Sequence, residues 1–285
     1  MKRAVIFAHF DVDGLVAPYV EFLLKSIRPC AHKLIFVSTS ATVSELERLS
    51  SSCDIAISRE NIGYDFMSWK IGLRYIDDRS QYDEIVFIND SVYGPTSDLS
   101  HLFHTLEEQS CDFWGLSRCH QYGAHVQSYF FSFRRKLIAD DLFTNFWDSV
   151  TALPNKNSII CQYEIGLSQQ IENAGYKSFV VFDSKSLSFW QRLIAAFVNG
   201  SAHQRSLGHT IRLNIKNRRA TNPTHRFWRS LIEAGVPFIK VELMRSNPQK
   251  MDLARIKSYI AKHTTYDLRL IENHVLRTRQ QSTVD

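Results

Sequence analysis

The chain has 285 residues, 44% of them hydrophobic and 22% charged, with a formal net charge of +5. That supplies a full apolar core, excludes disorder, collagen and coiled coil, and is too mild a charge to argue for nucleic acid. No apolar run reaches the ~18–20 residues of a bilayer span, and five scattered cysteines without a CxxC pair predict reduced thiols in a cytoplasm.

Met1-Lys2-Arg3 and the apolar run Ala4–Phe10 are too short for a signal peptide and lack a cleavage site; they read as a core strand ending at Asp11. Leu15, Val16, Tyr19, Val20, Leu23, Leu24 and Ile27 recur at helical spacing, and Pro18 suits a first turn. Leu34–Ser38 reads as a strand, and Thr42-Val43-Ser44-Glu45 as a capping box. Asp54–Ser58 is a strand, with a helix after Asp65. Ile85–Ile88 is a strand closing on Asn89-Asp90, and Asp112–Leu116 and Val126–Phe133 are further strands. Asp140–Val150 and Cys161–Ala174 are helices, closed by Gly175, and Lys177–Phe182 is a strand. Pro237–Leu243 is expected as a strand and Leu253–Lys262 as a helix. This order predicts an α/β fold with a mainly parallel sheet, helices on both faces, and a more helical C-terminal part.

Ligands of such sheets bind beyond the carboxyl ends of the strands. Those ends carry Asp11, Ser38, Arg59-Glu60-Asn61 and Asn89-Asp90. From Ser184 to Ile232 there is no acidic residue, while Lys185, Arg192, Arg205, Arg212, Lys216, Arg218, Arg219, Arg226 and Arg229 fall there with Phe189, Trp190, Phe197, Phe227 and Trp228. That stretch is either a solvated basic face or a surface for an anionic membrane or a polyphosphate.

Four segments carry candidate chemistry. His9-Phe10-Asp11-Val12-Asp13-Gly14 imitates the Asp-x-Asp-Gly start of phosphoesterases, which hold a metal on paired carboxylates; no Asp-His-His triplet completes it. Arg59–Lys70 joins a strand to a helix through a turn suited to Asn61 and Gly63, and Asp65 either caps that helix or meets a ribose or base edge. Asp90 offers one carboxylate at a strand end, a seat for Mg²⁺ or Mn²⁺ on a diphosphate. Glu164 falls in an expected first helical turn, where the dipole favours negative charge.

Seven segments in order resemble the rhamnan synthesis protein F family of glycosyltransferases. They are AHFDVDGLVAPYV at 8–20, SRENIGYDFMSWKIGL at 58–73, FINDSVYGP at 87–95, FWG at 113–115, HVQSYFFSF at 125–133, YEIGLSQQIENAGY at 163–176, and NPTHRFWRSLIEAGVPFIKVELMRSNP at 222–248. The family is similar to the GT-A class of nucleotide-sugar-dependent transferases. The resemblance implies a catalytic core over 1–183, with a nucleotide-sugar half and an acceptor half, and a helical extension over 184–285 that completes the site and contacts the membrane.

The same resemblance implies transfer of a sugar, L-rhamnose from dTDP-L-rhamnose, to a growing lipid-linked glycan of the cell surface. It places Glu164 as the base of an inverting displacement. Asp11, Asn61, Gly63, Asp65, Lys70 and Lys240 are expected at the nucleotide sugar, and His125, Gln127 and Ser128 at the sugar or acceptor. Asp90 and His225 are the expected ligands of Mg²⁺ or Mn²⁺, and Asp65, His120 and His125 are alternative bases. The implied location is the cytoplasm, at the inner face of the plasma membrane, with no nucleic-acid partner. The rivals are a phosphoesterase built on Asp11 and Asp13, and a non-catalytic polysaccharide-assembly protein on the same scaffold.

Overall fold

The computed structural model describes residues 1–188, 190–191 and 222–281. Arg192, Arg205, Arg212, Lys216, Arg218 and Arg219, with Phe189 and Phe197, lie outside the described residues; of the rest of the basic stretch, Trp190 is exposed, Phe227 and Trp228 are buried core residues and not surface anchors, and Arg229 pairs with Glu233. Among the described residues no helix is long and apolar enough to cross a membrane.

The sheet is mixed. Strands β1 (Arg3–His9), β2 (Lys33–Ser38), β3 (Ile55–Ser58) and β4 (Glu84–Asn89) are parallel in the order β3-β2-β1-β4. Helix α1 (Pro18–Ile27), with Pro18 opening it, follows β1; α2 (Val43–Arg48) follows β2 and α3 (Tyr64–Leu73) follows β3. The expected capping box is half made. Thr42 accepts from the Glu45 N–H, but the Glu45 carboxylate goes to the Val16 N–H and to Arg48.

Beyond β4 come β5 (Val92–Tyr93), α4 (Leu99–Glu107), β6 (Phe113–Cys119), β7 (His125–Val126) and β8 (Phe130–Arg134). β8 lies antiparallel to β4 and to β6. The single strand expected over Val126–Phe133 is therefore two, because Gln127–Tyr129 leave the ladder. Then follow α5 (Arg135–Ile138), α6 (Asp141–Ser149) and α7 (Lys156–Ile159). The chain continues without a break into a π-helical turn, Ile160–Ile165, and α8 (Gly166–Asn173). The helix expected from Cys161 thus starts earlier, capped by Asn155, whose side chain accepts from the Ser158 N–H. β9 (Ser178–Asp183) pairs with β6.

The strands pack one face on an aromatic cluster. Phe87 stacks on Trp147 (4.7 Å between centroids) and Phe131 (5.1 Å), and Phe66 meets Trp69 edge-on at 5.0 Å. Trp69 is fully buried and its indole N–H donates to the Ile88 carbonyl at 3.0 Å, so burying it leaves no orphan donor. Gly72 lets α3 approach the sheet: a Cβ there would lie 2.3 Å from Ile6 Cγ2 and 3.3 Å from Val37 Cγ2. Gly72→Ala should therefore lower the unfolding free energy by a net ~1–2 kcal/mol, even after the helix propensity that alanine adds. A urea midpoint that stays put or rises would contradict the close approach.

The chain groups into two compact units. The first comprises Met1–Asp90, Leu99–Leu116 and His125–Val180; the second comprises Ser91–Asp98, Ser117–Ala124 and Val181–Asp285. Within the second, α9 (Pro223–Arg226), α10 (Trp228–Glu233), β10 (Ile239–Lys240), α11 (Val241–Arg245), α12 (Leu253–His263) and α13 (Leu268–Gln281) succeed one another. The strand expected over Pro237–Leu243 shrinks to β10. Its partner β5 offers only Val92 and Tyr93, and once the Val241 N–H has bonded to the Ser91 carbonyl the chain turns helical. The Tyr93 hydroxyl bonds His274 Nδ1 at 2.7 Å in this unit's interior, tying α13 to β5.

Candidate functional site

The carboxyl ends of β1 and β2 are joined by polar side chains. The Ser38 hydroxyl accepts from the N–H groups of Ser40 (3.1 Å) and Ala41 (2.7 Å), which fills its lone pairs. Its own proton then goes to His9 Nδ1 at 2.9 Å, which assigns the neutral ring's proton to Nε2. Both side chains are buried. Asp11 shapes the turn that follows β1: its Oδ1 accepts from the Asp13 N–H at 2.9 Å, and its carbonyl from the Gly14 N–H at 3.1 Å. Asp13 is exposed. Among the described residues no group of three or more His, Cys, Asp or Glu is set to hold a metal ion.

The loop after β3 is irregular. Asn61 is exposed at the tip of a tight turn in which the Ile62 N–H donates to the Glu60 carbonyl at 2.9 Å. Gly63, at φ 81°, is the left-handed residue preceding α3. Asp65 therefore lies inside the first turn and is not its cap. Its Oδ2 accepts from Asn89 Nδ2 at 2.8 Å, linking α3 to the end of β4. Lys70, expected at a phosphate, instead donates to the carbonyls of Asp148 (2.9 Å) and Val150 (2.8 Å). It closes the C-terminus of α6, where a cation suits the dipole and the orphan carbonyls.

Asp90 ties the ends of β4 and β1 together. Its Oδ2 accepts from the Phe10 N–H at 2.7 Å, and its carbonyl from the Tyr19 hydroxyl at 2.9 Å. One residue back, the Asn89 N–H donates to the Tyr129 carbonyl at 3.3 Å. This anchors the segment Gln127–Tyr129 that interrupts β7 and β8. Ser128, freed from the ladder, donates its hydroxyl to Glu164 Oε1, and His125 Nε2 stands 3.5 Å from Glu164 Oε2. His125 and Gln127 are buried; Glu164 keeps 18% of its side chain accessible.

Glu164 does not sit in a first helical turn. It lies in the π-helical turn, deep in a helical run that begins at Asn155, beyond the reach of the terminal dipole. The dipole support expected for it is replaced by Ser128 and His125. Single π turns inside helices are frequent at functional sites. Here the turn is fixed by Tyr163, whose buried hydroxyl donates to the Thr151 carbonyl (3.0 Å) and accepts from the Thr151 N–H (2.8 Å). Asp65, Asn89, the 127–129 segment and Glu164 thus form one hydrogen-bonded succession at the end of β4. Nothing local in the sequence signals Ser128 as the partner of Glu164, because HVQSYFFSF reads as one unbroken strand.

In the second unit, Lys240 Nζ donates to Ser91 Oγ at 2.7 Å, and His225, buried, has Nε2 3.4 Å from Glu242 Oε2. His120 Nε2 lies 2.8 Å from Asp183 Oδ1. The expected metal ligands Asp90 and His225 belong to different units. Asp90 supplies one carboxylate, and among the described residues no group of three or more His, Cys, Asp or Glu makes a preformed cage for Mg²⁺ or Mn²⁺.

The profile of the family described as rhamnan synthesis protein F matches residues 34–204. That span takes in the segments at 58–73, 87–95, 113–115, 125–133 and 163–176, and leaves 8–20 and 222–248 outside. A virulence protein, VirA, of Vibrio anguillarum is 30% identical over 256 residues, 87% of this chain and 81% of that protein. Among solved structures, the Pyrobaculum calidifontis mannosyltransferase PcManGT, in complex with GDP-Man and Mn²⁺, is 12% identical at a TM-score of 0.41, covering 100% of this chain and 81% of its own. A cytidylyltransferase of Leptospira borgpetersenii is 12% identical at a TM-score of 0.37, covering 78% and 98%.

Proposed function

This chain belongs to the rhamnan synthesis protein F family, and we propose that it is a glycosyltransferase that moves a sugar from a nucleotide sugar to a lipid-linked glycan. The donor is dTDP-L-rhamnose and the outcome at the anomeric carbon is inversion. The observation that supports this most is the Glu164 carboxylate, held by Ser128 and near His125, in the same hydrogen-bonded succession as Asp65 and Asn89. A base on one side and nucleoside-facing groups on the other is what a single displacement needs.

In that displacement the acceptor hydroxyl attacks the anomeric carbon while Glu164 takes its proton. The bond from carbon to the diphosphate oxygen breaks, and the nucleoside diphosphate leaves with the electron pair. The transition state is oxocarbenium-like, as in glycoside hydrolysis, and a positioned base contributes ~10²–10⁴-fold. Ser128 and His125 orient the carboxylate; Asp65 and Asp11 meet the nucleoside; Gln127 lines the sugar or acceptor side.

A screen of purified protein against dTDP-, UDP- and GDP-sugars, with a lipid-linked acceptor and detection of the released nucleotide, tests this. Release of dTDP from dTDP-L-rhamnose is expected. No release from any donor refutes the assignment.

The basic stretch holds the enzyme at the membrane where its acceptor lies. At ~1 kcal/mol per basic residue near an anionic surface, reversing both Arg218 and Arg219 to Glu should lower partitioning onto anionic vesicles at least ~tenfold. Transfer to a soluble acceptor should survive. Wild-type protein that never binds such vesicles at physiological salt leaves the stretch as a solvated face.

A further inference from the structure

Arg59 follows the last residue of β3, and its N–H still donates to the Ser38 carbonyl at 2.9 Å, as the ladder would continue. Its side chain then turns back beneath the loop it begins. Nε donates to Ser68 Oγ at 2.9 Å, Nη1 to the carbonyls of Glu60 (2.7 Å) and Ile62 (2.6 Å), and Nη2 to the Tyr64 carbonyl (2.6 Å) and Ser68 Oγ (2.8 Å). A guanidinium has five N–H donors, and these bonds use all of them on the loop and on α3. Three alternate carbonyls are drawn inward to one cation, and the side chains of Ile62 and Tyr64 are left exposed.

The loop so held is strained. Gly63 at φ 81° is followed by Tyr64 at φ 55°, a bulky side chain in the left-handed region. Such a conformation persists only where its surroundings over-determine it, and it clusters at ligand clamps. Burial pulls the Arg59 pKa below its ordinary range, and the nearby Asp65 carboxylate opposes that pull. No short apolar or singly bonded side chain would hold three carbonyls and a helix hydroxyl at once.

We propose that Arg59 is a positioning residue for donor binding: by bonding the loop from within it fixes Asn61 and Asp65 where they meet the nucleotide, without touching the nucleotide itself. This rests on the glycosyltransferase assignment above. It excludes a direct phosphate contact for Arg59, because no donor remains to make one. It also makes lysine a poor substitute, since an ammonium is a compact group with three donors that cannot span the five acceptor directions.

The test is Arg59→Lys in the full chain, read as donor KM and kcat with dTDP-L-rhamnose and as equilibrium binding of dTDP, UDP and GDP. Misplacing a binding group by about 1 Å costs up to ~10²-fold. Donor KM is therefore expected to rise at least ~tenfold and dTDP affinity to fall by the same factor, with kcat within about threefold of wild type. Ser68→Ala removes the acceptor for two of the five bonds and keeps the charge; it should move KM in the same direction by less, and it carries the test if Arg59→Lys does not fold. Unchanged KM and dTDP affinity in a folded variant overturn the proposal, as does a loss confined to kcat. Either result leaves the glycosyltransferase assignment standing. Wild-type protein that releases no nucleotide from any donor brings down that assignment, and this inference with it.

Discussion

Replacing Glu164 by glutamine should lower sugar transfer at least ~10²-fold while leaving donor KM almost unchanged. Glutamine keeps the size of the side chain and an oxygen for the Ser128 hydroxyl, but it cannot take the acceptor's proton. The low end of the loss for a missing general base is ~10²-fold. The effect is expected in kcat because the proposed base acts on the acceptor, whereas Asp65, which accepts from Asn89, is proposed to meet the nucleoside. Stability should fall by only about 1 kcal/mol, the difference between a charge-assisted and a neutral hydrogen bond, since Glu164 lies too deep in its helical run to interact with the terminal dipole. Steady-state kinetics with thermal melts of the same samples decide it. Near-normal transfer by the folded variant would return Glu164 to a packing role and move the search to Asp65, His120 and His125.

The largest stability effect should come from the opposite end of the same strands. Arg3 and Glu84 face each other in the register of β1 and β4, and their side chains keep only 7% and 1% exposure. Arg3 Nε donates to Glu84 Oε1, its Nη2 to Glu107, and its guanidinium lies 4.3 Å over the Phe103 ring. Glu84 Oε2 accepts from the Trp114 indole N–H at 2.9 Å. Glu84→Leu removes one of the two carboxylates paired with Arg3 and the acceptor of the indole N–H, leaving Glu107 on the cation, so the unfolding free energy should fall by about 3 kcal/mol. Arg3→Met combined with Glu84→Leu should lose less than Glu84→Leu alone, because an apolar pair in place of a buried ion pair is often neutral. Chemical denaturation of the two single variants and the double variant measures this. A double variant as damaged as the sum of the singles would mean that the two charges act independently.

The parallel half of the sheet was legible because its strands are short apolar runs bounded by polar residues, and Pro18 marked the start of α1. The antiparallel half was less so. HVQSYFFSF keeps β-like composition throughout, while the Asn89–Tyr129 and Ser128–Glu164 contacts at 127–129, where the chain leaves the ladder, are made by residues far apart in sequence. The π turn escaped for a similar reason: side-chain periodicity does not encode a change of hydrogen-bond span, and Tyr163 fixes it through Thr151, twelve residues away. Lys70, which the resemblance places at the nucleotide sugar, instead bonds the carbonyls at the end of α6, a tertiary contact that its neighbours in sequence do not signal. Arg59 stood in the right segment, but nothing in its neighbours announces a guanidinium turned inward. Arg3 and Glu84 read as polar flanks of apolar runs, because the register that buries them is a tertiary fact.

The place of β1 in the sheet also sets a timetable for synthesis. Its two neighbours are β2, which follows closely, and β4, and 81 residues separate Arg3 from its partner Glu84. At ~5–20 residues per second of translation, one edge of this strand, apolar from Ala4 to Ala8, waits roughly 4–16 s for its partner. During that interval the Arg3 side chain, charged and without Glu84, is what discourages a foreign strand from docking on the open edge. A group that costs desolvation in the finished molecule thus guards the nascent one.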